Sequence, residues 1–260
     1  MFHRWFYRRT DAFLCNSRAT LDLVKNSAPD LAESRIKVMY NPAPPQEPAG
    51  EDEIAAWRRR LLLKPGELLV LSVGRLAPEK GHRYLLEAFR ILLRTHAASR
   101  LVIAGGGAEL ENLEFVASEL GISERVSLPG FVVALTPLYR LADMVVQPSL
   151  PGYESFSNAA LEALSHGLPI IATTAGGFPE LIEQGKDGLL VPHSDVNALA
   201  HAMIRLADSK QLRSNLGSAA KRKIQADFAP EKKAGELEHY LCAFSGSAHE
   251  DCPKATSRDL

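Results

Sequence analysis

The feature that most constrains the fold is an alternation of short apolar runs with longer amphipathic stretches. Most of the runs lack polar alternation, which is typical of strands buried on both faces of a parallel sheet. The runs are Ala12–Asn16, Ile36–Tyr40, Leu68–Val73, Leu101–Ala104, Val126–Leu128, Met144–Gln147, Pro169–Ala172 and Gly188–Val191. The stretches between them carry apolar residues at helical spacing, as from Tyr84 to Leu92. This order predicts an α/β fold built on a doubly wound parallel sheet.

Composition excludes several classes of protein. The 260 residues carry a net charge of −1, so we expect no nucleic-acid partner. No apolar run approaches the ~20 residues that span a bilayer, and the first residues lack the apolar core of a secretory signal. Cys15, Cys242 and Cys252 stand at spacings that fit neither a disulfide framework nor a zinc site. These features predict a cytoplasmic protein.

Proline content and patterning divide the chain into segments. Asn41–Pro48 contains four prolines, which favour a semi-rigid linker. Residues 1–44 are expected to form a partial βαβ piece with a hinge, and residues 45–228 a complete α/β domain. We expect a C-terminal helix over 229–244 and a disordered, polar tail over 245–260.

Ligands of open parallel sheets bind where the carboxyl ends of the strands meet the loops. The loop after Leu68–Val73 holds Gly74, Arg75 and Lys80. The glycine permits a sharp turn and a close approach of a ligand to the backbone. The two cations suit a diphosphate, and the alternative is a solvated surface loop.

Glycines mark two further strand exits. The segment Ala104–Leu110 resembles a dinucleotide-binding fingerprint, with Gly105 and Gly107 at its first two glycines, but Leu110 stands where the third glycine belongs. Contact with a phosphate or base and close packing of the turn on the sheet both stay open. The segment Thr173–Glu180 also carries paired glycines, and it is either a ligand contact or a plain turn.

Two glutamates stand eight positions apart, Glu154 in a loop and Glu162 inside a helix that is expected to begin near Phe156. If Glu154 and Glu162 are eight helical residues apart, they lie near one face at ~12 Å. That exceeds the separation of at most ~9.5 Å in glycosidases and suits two hydroxyl contacts on an elongated ligand. The amides of Phe156, Ser157 and Asn158 would add an anion site between them. Alanine and leucine flank Glu162, so its carboxylate requires a partner.

Five motifs occur in the order GRLAPEKG, LVIAGGGAEL, RVSLPGFV, MVVQPSLPGYESFSNAALEALSHGLPIIATTAGGFPELI and GKDGLLVP. Together they resemble the C-terminal, donor-binding half of a GT-B-fold retaining glycosyltransferase of the glycosyl transferases group 1 (family 4) type. The resemblance runs from about Asp11 to Ala226 and includes an E-x7-E element from Glu154 to Glu162. It implies a Rossmann-like domain preceded by a partial βαβ remnant of a first domain.

The resemblance implies a role for each candidate residue. Arg75 and Lys80 would bind the donor diphosphate and stabilise the leaving group. Glu154 would bind hydroxyls of the transferred sugar, and Glu162 those of the ribose. The distal phosphate would lie on the helix-start amides. The residues expected to line the rest of the donor site or to border its nucleobase are Gly74, Gly105, Gly106, Phe131 and Val132.

The implied substrate is a UDP- or GDP-sugar, transferred with retention in polysaccharide biosynthesis. Fixed cations and amides can stabilise the leaving charge without a metal, and the sequence has no Asp-x-Asp pair, so we expect neither metal nor cofactor. The acceptor would be a saccharide or a lipid-linked glycan. Because such enzymes have two domains, the chain is expected to be a fragment or a half-enzyme completed by a second chain.

The segment MFHRWFYRR, residues 1–9, is expected to be an internal helix of the first domain or a patch for peripheral membrane contact. Other functions stay open. A non-catalytic nucleotide-sugar-binding domain would share the donor site. A nicotinamide-dependent oxidoreductase is disfavoured by the missing third glycine. An epimerase acting on nucleotide sugars would share the fold, although the two motifs around Lys80 and Glu154 favour transfer.

Overall fold

The computed structural model describes residues 10–29 and 31–245, and parallel strands form its centre. The strands are β1 (Phe13–Cys15), β2 (Ile36–Val38), β3 (Leu68–Val73), β4 (Ser99–Ala104), β5 (Val126–Gly130), β6 (Met144–Gln147), β7 (Ile170–Thr173) and β8 (Leu189–Val191). Strands β1 and β2 form a small parallel pair, and the others form one parallel sheet in the order β5-β4-β3-β6-β7-β8. The predicted α/β fold with a parallel sheet is confirmed, and every predicted apolar run overlaps one strand.

The centre of the large sheet is apolar on both faces. Strand β3 pairs with β4 on one side and with β6 on the other. Leu69 and Leu71 pack into one core layer and Val70 into the opposite one, because side chains alternate along a strand. All three are fully buried. Burial on both faces explains why the sequence shows apolar runs instead of alternation.

Helices cover both faces of the sheet. They are α1 (Arg18–Ser27), α2 (Glu51–Arg60), α3 (His82–Leu93), α4 (Leu110–Glu119), α5 (Thr136–Leu141), α6 (Asn158–Ser165), α7 (Phe178–Leu181), α8 (Val196–Asp208), α9 (Lys210–Asp227) and α10 (Pro230–Ser245). Helices α3, α4 and α8 pack on one face, and α2, α5 and α6 pack on the other. No helix in the described ranges is both long enough and apolar enough to cross a bilayer.

Helix α6 begins later than the sequence analysis expected. It starts at Asn158 rather than near Phe156, because Ser157 is its N-cap and accepts a hydrogen bond from the Ala160 N–H at 3.2 Å. The part of the E-x7-E element before Asn158 is therefore not helical. The ~12 Å separation, which assumed eight helical residues, does not apply to this geometry.

A small βαβ unit precedes the large domain. It consists of β1, α1 and β2, and residues 41–50, which contain no helix or strand, connect it to α2. Glu180 on α7 accepts hydrogen bonds from the N–H groups of Arg18 (2.7 Å) and Ala19 (3.0 Å) at the start of α1. It also accepts one from the Tyr40 hydroxyl at 3.0 Å. One carboxylate thus joins the unit to the large domain.

The expectations for both chain ends fall outside the described residues. Residues 1–9, considered above as a helix or a membrane-surface patch, and residues 246–260, which make up nearly all of the expected disordered tail, are not described. The assignment of residues 1–44 and 45–228 to two domains stays a prediction.

Candidate functional site

The loops that follow β3, β4 and β5 are hydrogen-bonded to one another through their backbones. The N–H of Gly74 donates to the oxygen of Ala104 at 3.0 Å, and the N–H of Leu76 donates to that of Gly106 at 2.8 Å. The N–H of Gly105 donates to Gly130 O at 2.9 Å. These bonds bring the strand exits to one edge of the sheet, where the sequence analysis expected a ligand.

Close packing is what requires glycine at position 105. A Cβ on Gly105 would collide with the carbonyl oxygen of Gly74. The sequence left open whether this segment contacts a ligand or packs closely on the sheet. Tight packing of the turn accounts for the glycine at position 105. Gly106 has more space, since a Cβ there would lie 3.7 Å from the Phe131 Cβ.

The residues expected near the nucleobase differ in exposure. Phe131 is 80% exposed, and the ring lies on the surface beside Gly106. Val132 is half-buried and packs against the core. An exposed phenylalanine next to an open glycine leaves room for a flat ring, which fits the predicted position of a base.

The two predicted phosphate-binding cations have different surroundings. The Arg75 side chain is 71% exposed and its Nη2 lies 3.0 Å from Oε1 of Glu79. Lys80 ends the short 3-10 helix Pro78–Lys80, and its side chain is mostly buried. Arg75 can therefore reorient at little expense, whereas Lys80 is held in place.

Lys80 is held by Glu154, which lies 74 residues further along the chain. Its Nζ donates to Oε2 of Glu154 at 2.8 Å, and the Ser149 hydroxyl donates to the same oxygen at 2.9 Å. The Thr173 hydroxyl in turn donates to the backbone oxygen of Ser149 at 2.6 Å. The other carboxylate oxygen, Oε1, receives neither of these bonds. The structure thus brings Lys80 and Glu154 together at the carboxyl ends of β3, β6 and β7.

The loop that carries Glu154 packs tightly on the loop after β7. Gly176 has a φ of 55°, and a Cβ there would collide with the carbonyl oxygen of Glu154. The paired glycines of this segment therefore shape the site by supporting Glu154 from behind.

The start of α6 carries unused backbone donors. The Ser157 side chain accepts the N–H of Ala160, but within the described part of the chain no hydrogen bond leaves the N–H groups of Phe156, Ser157 or Asn158. Free N–H groups at a helix start attract anions, and the positive end of the helix dipole adds to the attraction. Asn158 also accepts a hydrogen bond from the Asn41 amide at 2.9 Å through its side chain.

Glu162 has the partner that its apolar neighbours require. The hydroxyl of Tyr139 on α5 donates to Oε2 of Glu162 at 2.9 Å. Burial raises the pKa of Glu162, and the hydrogen bond from Tyr139 opposes that rise. Burial and the negative charge of Glu162 raise the pKa of Tyr139, so the phenol stays protonated and remains a donor.

His82, which follows the Lys80 loop, is a buried residue of α3. Burial and the nearby charge of Lys80 lower the pKa of His82 to about 4, so its ring is neutral at pH 7. The residue is 3% exposed, so its ring packs in the interior of the domain.

The sequence does not indicate the contacts that Ser149, Tyr139 and Glu180 make. Ser149 stands in the quoted MVVQPSLPGYESF motif, so its distance of five residues from Glu154 was the available signal. For Tyr139 no local signal exists, because it reaches Glu162 only through the packing of α5 near α6. In the described ranges no group of three potential metal ligands comes together, and independence from a metal stays a prediction.

Comparison with known proteins supplies the family. The model of the family described as Glycosyl transferases group 1 matches residues 53–223. An uncharacterized glycosyltransferase of Methanocaldococcus jannaschii is 33% identical over 209 residues, which are 78% of this chain and 53% of that protein. A D-inositol 3-phosphate glycosyltransferase of Corynebacterium jeikeium is 40% identical over 181 residues, which are 66% of this chain and 43% of that protein.

Solved structures agree on the fold. The crystal structure of Anabaena Alr3699/HepE in complex with UDP and glucose superposes with a TM-score of 0.80 at 23% identity, over 90% of this chain and 63% of that chain. The chain spans about half the length of the curated relatives it matches. On these grounds the chain belongs to the glycosyl transferases group 1 family, and its α/β domain has the GT-B fold.

Proposed function

We propose that this chain binds a nucleoside diphosphate sugar and supplies the donor site of a retaining glycosyltransferase. The observation that carries the proposal is the meeting of Lys80, Glu154 and the free amides of α6 at one sheet edge. In the Anabaena relative of the same fold, UDP and glucose are bound. A diphosphate requires cations and N–H donors, and a sugar requires hydroxyl acceptors, so this edge offers both kinds of partner.

Lys80 and Glu154 would bind different parts of the donor. The diphosphate would compete with Glu154 for Lys80, and the exposed Arg75 would swing onto the same phosphates. Glu154 would keep the Ser149 hydroxyl and accept sugar hydroxyls in place of the ammonium. As the sugar–phosphate bond breaks, negative charge grows on the diphosphate, and these fixed donors would stabilise it without a metal.

The remaining properties of the reaction are part of the same proposal. Retention would follow from attack on the face of the sugar that the leaving phosphate occupies. The acceptor would be a saccharide or a lipid-linked glycan. We also propose a cytoplasmic location, since the cysteine spacings fit no disulfide framework.

A panel of UDP, GDP and their sugars in a thermal-shift assay tests the donor site. Ligand at a hundredfold excess over its Kd stabilises by ~2.7 kcal/mol, which for a chain of this size raises Tm by about 5–10 °C. Lys80→Ala should abolish the shift. Lys186→Ala is the matched control, because Lys186 pairs with Glu183 on the surface and should leave the shift intact. If no nucleoside diphosphate raises the Tm of the wild type, the proposal is wrong.

Binding without turnover is the second candidate function, because the meeting of Lys80, Glu154 and the free amides at the start of α6 explains donor binding without requiring turnover. A product assay separates the two candidates. Transfer of a labelled sugar to any saccharide or lipid-linked acceptor, or hydrolysis of the donor, supports the enzyme. An NMR spectrum of the product then reads the anomeric configuration. Donor binding with neither transfer nor hydrolysis, also after addition of a full-length relative with its own donor site inactivated, would support the binding function.

A further inference from the structure

We propose that Tyr139 is a positioning residue for the donor nucleotide: its hydroxyl holds the Glu162 carboxylate in the orientation that receives the ribose hydroxyls. This inference rests on the proposed function, because it assumes that Glu162 meets a ribose. Tyr139 itself is only 2% exposed, so it acts through Glu162 and not by touching the donor.

The position of the Tyr139 hydroxyl is fixed by its surroundings. The ring is buried on α5 and stacks on the His166 ring, with centroids 5.0 Å apart and an interplanar angle of 20°. The hydroxyl lies 2.9 Å from Oε2 of Glu162 and 3.5 Å from the backbone oxygen of Ala159. A phenol has one proton to donate, and the shorter distance directs it to the carboxylate.

A carboxylate held in this way is prepared for a diol. Oε2 of Glu162 receives the phenol, and Oε1 receives no hydrogen bond from the described residues. Glu162 is half-buried, so part of it remains open to a ligand. Because a free glutamate side chain has several rotamers, fixing one of them in advance lowers the entropic loss on binding.

Charged and titratable groups surround the pair. They are His166, which directly follows α6 and stacks on Tyr139, and Arg140 on α5 and Lys221 on α9, whose charges act on His166. Burial, together with the charges of Lys221 and Arg140, lowers the pKa of His166, so this ring is neutral at pH 7. Glu162 therefore carries the charge of the Tyr139–Glu162 pair. Burial raises the pKa of Glu162, and the hydrogen bond from Tyr139 lowers it. Loss of the phenol would raise that pKa further, and Glu162 would be protonated at a higher pH.

Calorimetric titration of Tyr139→Phe tests the inference. For whichever of UDP or GDP the wild type binds more tightly, we expect about tenfold weaker binding, typical of losing a hydrogen bond to a charged group. For the matching 2′,3′-dideoxynucleoside diphosphate, which lacks the ribose hydroxyls, the variant and the wild type should bind equally. The acid limb of ribonucleotide binding should also move to higher pH in the variant.

Tyr40→Phe is the matched control, because Tyr40 also donates a hydroxyl to a glutamate, Glu180, at 3.0 Å. It should leave the preference for ribonucleotide over dideoxynucleotide unchanged. Glu162→Gln provides a second test that does not depend on Tyr139→Phe alone. Since both changes act on one contact, the double variant Tyr139→Phe/Glu162→Gln should bind little worse than Glu162→Gln.

Two results overturn the inference alone: an unaltered ribonucleotide preference in Tyr139→Phe, or fully additive losses in the double variant. A wild type that binds no nucleoside diphosphate is a different result, because it overturns the proposed function together with the inference.

Discussion

At the scale of single residues, the Lys80–Glu154 ion pair stabilises the empty site, but it must separate before its two groups can bind a donor. Glu154 is only 7% exposed in its side chain, so its charge depends on Lys80 and Ser149. Lys80 and Glu154 would have to exchange each other for the donor's groups when a donor binds. A pair that is satisfied before binding keeps the empty site folded, and part of the donor's binding energy is then used to separate it.

Removal of Lys80 alone should therefore destabilise the protein. Lys80→Ala leaves a buried carboxylate with one remaining hydroxyl donor, and we expect the free energy of unfolding to fall by about 3 kcal/mol. Urea denaturation measures this loss. Adding Glu154→Gln removes the stranded charge, so the double variant should recover part of the stability. If the double variant loses as much as the two single variants combined, the charges are not coupled.

At the scale of elements, α6 links folding to the proposed site through its first turn. Ser157 caps the helix by accepting the Ala160 N–H, and in the described chain the N–H groups of residues 156–158 donate no hydrogen bond. The same helix carries Glu162 one turn further along, where α5 supplies Tyr139. The length and the starting point of α6 therefore determine where the anion-binding and hydroxyl-binding groups lie.

Ser157→Ala should cost about 1 kcal/mol of stability, the usual effect of losing an N-cap side chain. Because the first turn of α6 would fray, donor affinity should fall severalfold as well. Ser209→Ala is the matched control, since Ser209 caps α9 by accepting from the Leu212 N–H at 3.1 Å. It should cost similar stability in thermal melts and leave the Kd for the nucleotide unchanged. Equal effects of both variants on Kd would contradict a special role for the first turn of α6.

At the scale of the whole molecule, Glu180 joins the βαβ unit to the large domain. Its carboxylate accepts hydrogen bonds from two N–H groups at the start of α1 and from one tyrosine hydroxyl. Its negative charge also interacts favourably with the positive end of the α1 helix dipole. Burial and contact with Glu180 raise the pKa of Tyr40, so the phenol remains a donor at any physiological pH. Two further contacts reach the proposed site, from Asn16 to Ser155 and from Asn41 to Asn158.

Glu180→Ala should loosen the βαβ unit while the large sheet stays intact. We expect faster hydrogen exchange over residues 13–38 and unchanged protection in β3, β6 and β7. Glu183→Ala, which removes an exposed carboxylate paired with Lys186 near the same helix, is the control and should change neither region. Global loss of protection in Glu180→Ala would mean that the unit and the domain fold as one.

The sequence predicted elements better than contacts. The strand β3 was predicted with its observed bounds because an uninterrupted aliphatic run has few other structures open to it. The start of α6 was predicted too early, because Phe156 fits an apolar helix pattern and only the cap geometry of Ser157 decides the boundary. The sequence marked Gly105 as a candidate site residue. The carbonyl of Gly74, which leaves no space for a side chain at position 105, belongs to a neighbouring loop.

The sequence by itself determined the order of strands and helices along the chain. It also determined which loops carry the glycines, cations and glutamates, since both follow from local hydrophobic patterning. Only the tertiary structure decided which of these groups meet. Lys80 contacts Glu154 because β3 lies beside β6 in the sheet, and Glu162 contacts Tyr139 because α5 and α6 cover the same face. The order of the strands within the sheet and the packing of the helices depend on how apolar surfaces from distant parts of the chain fit together. No local sequence pattern encodes that fit.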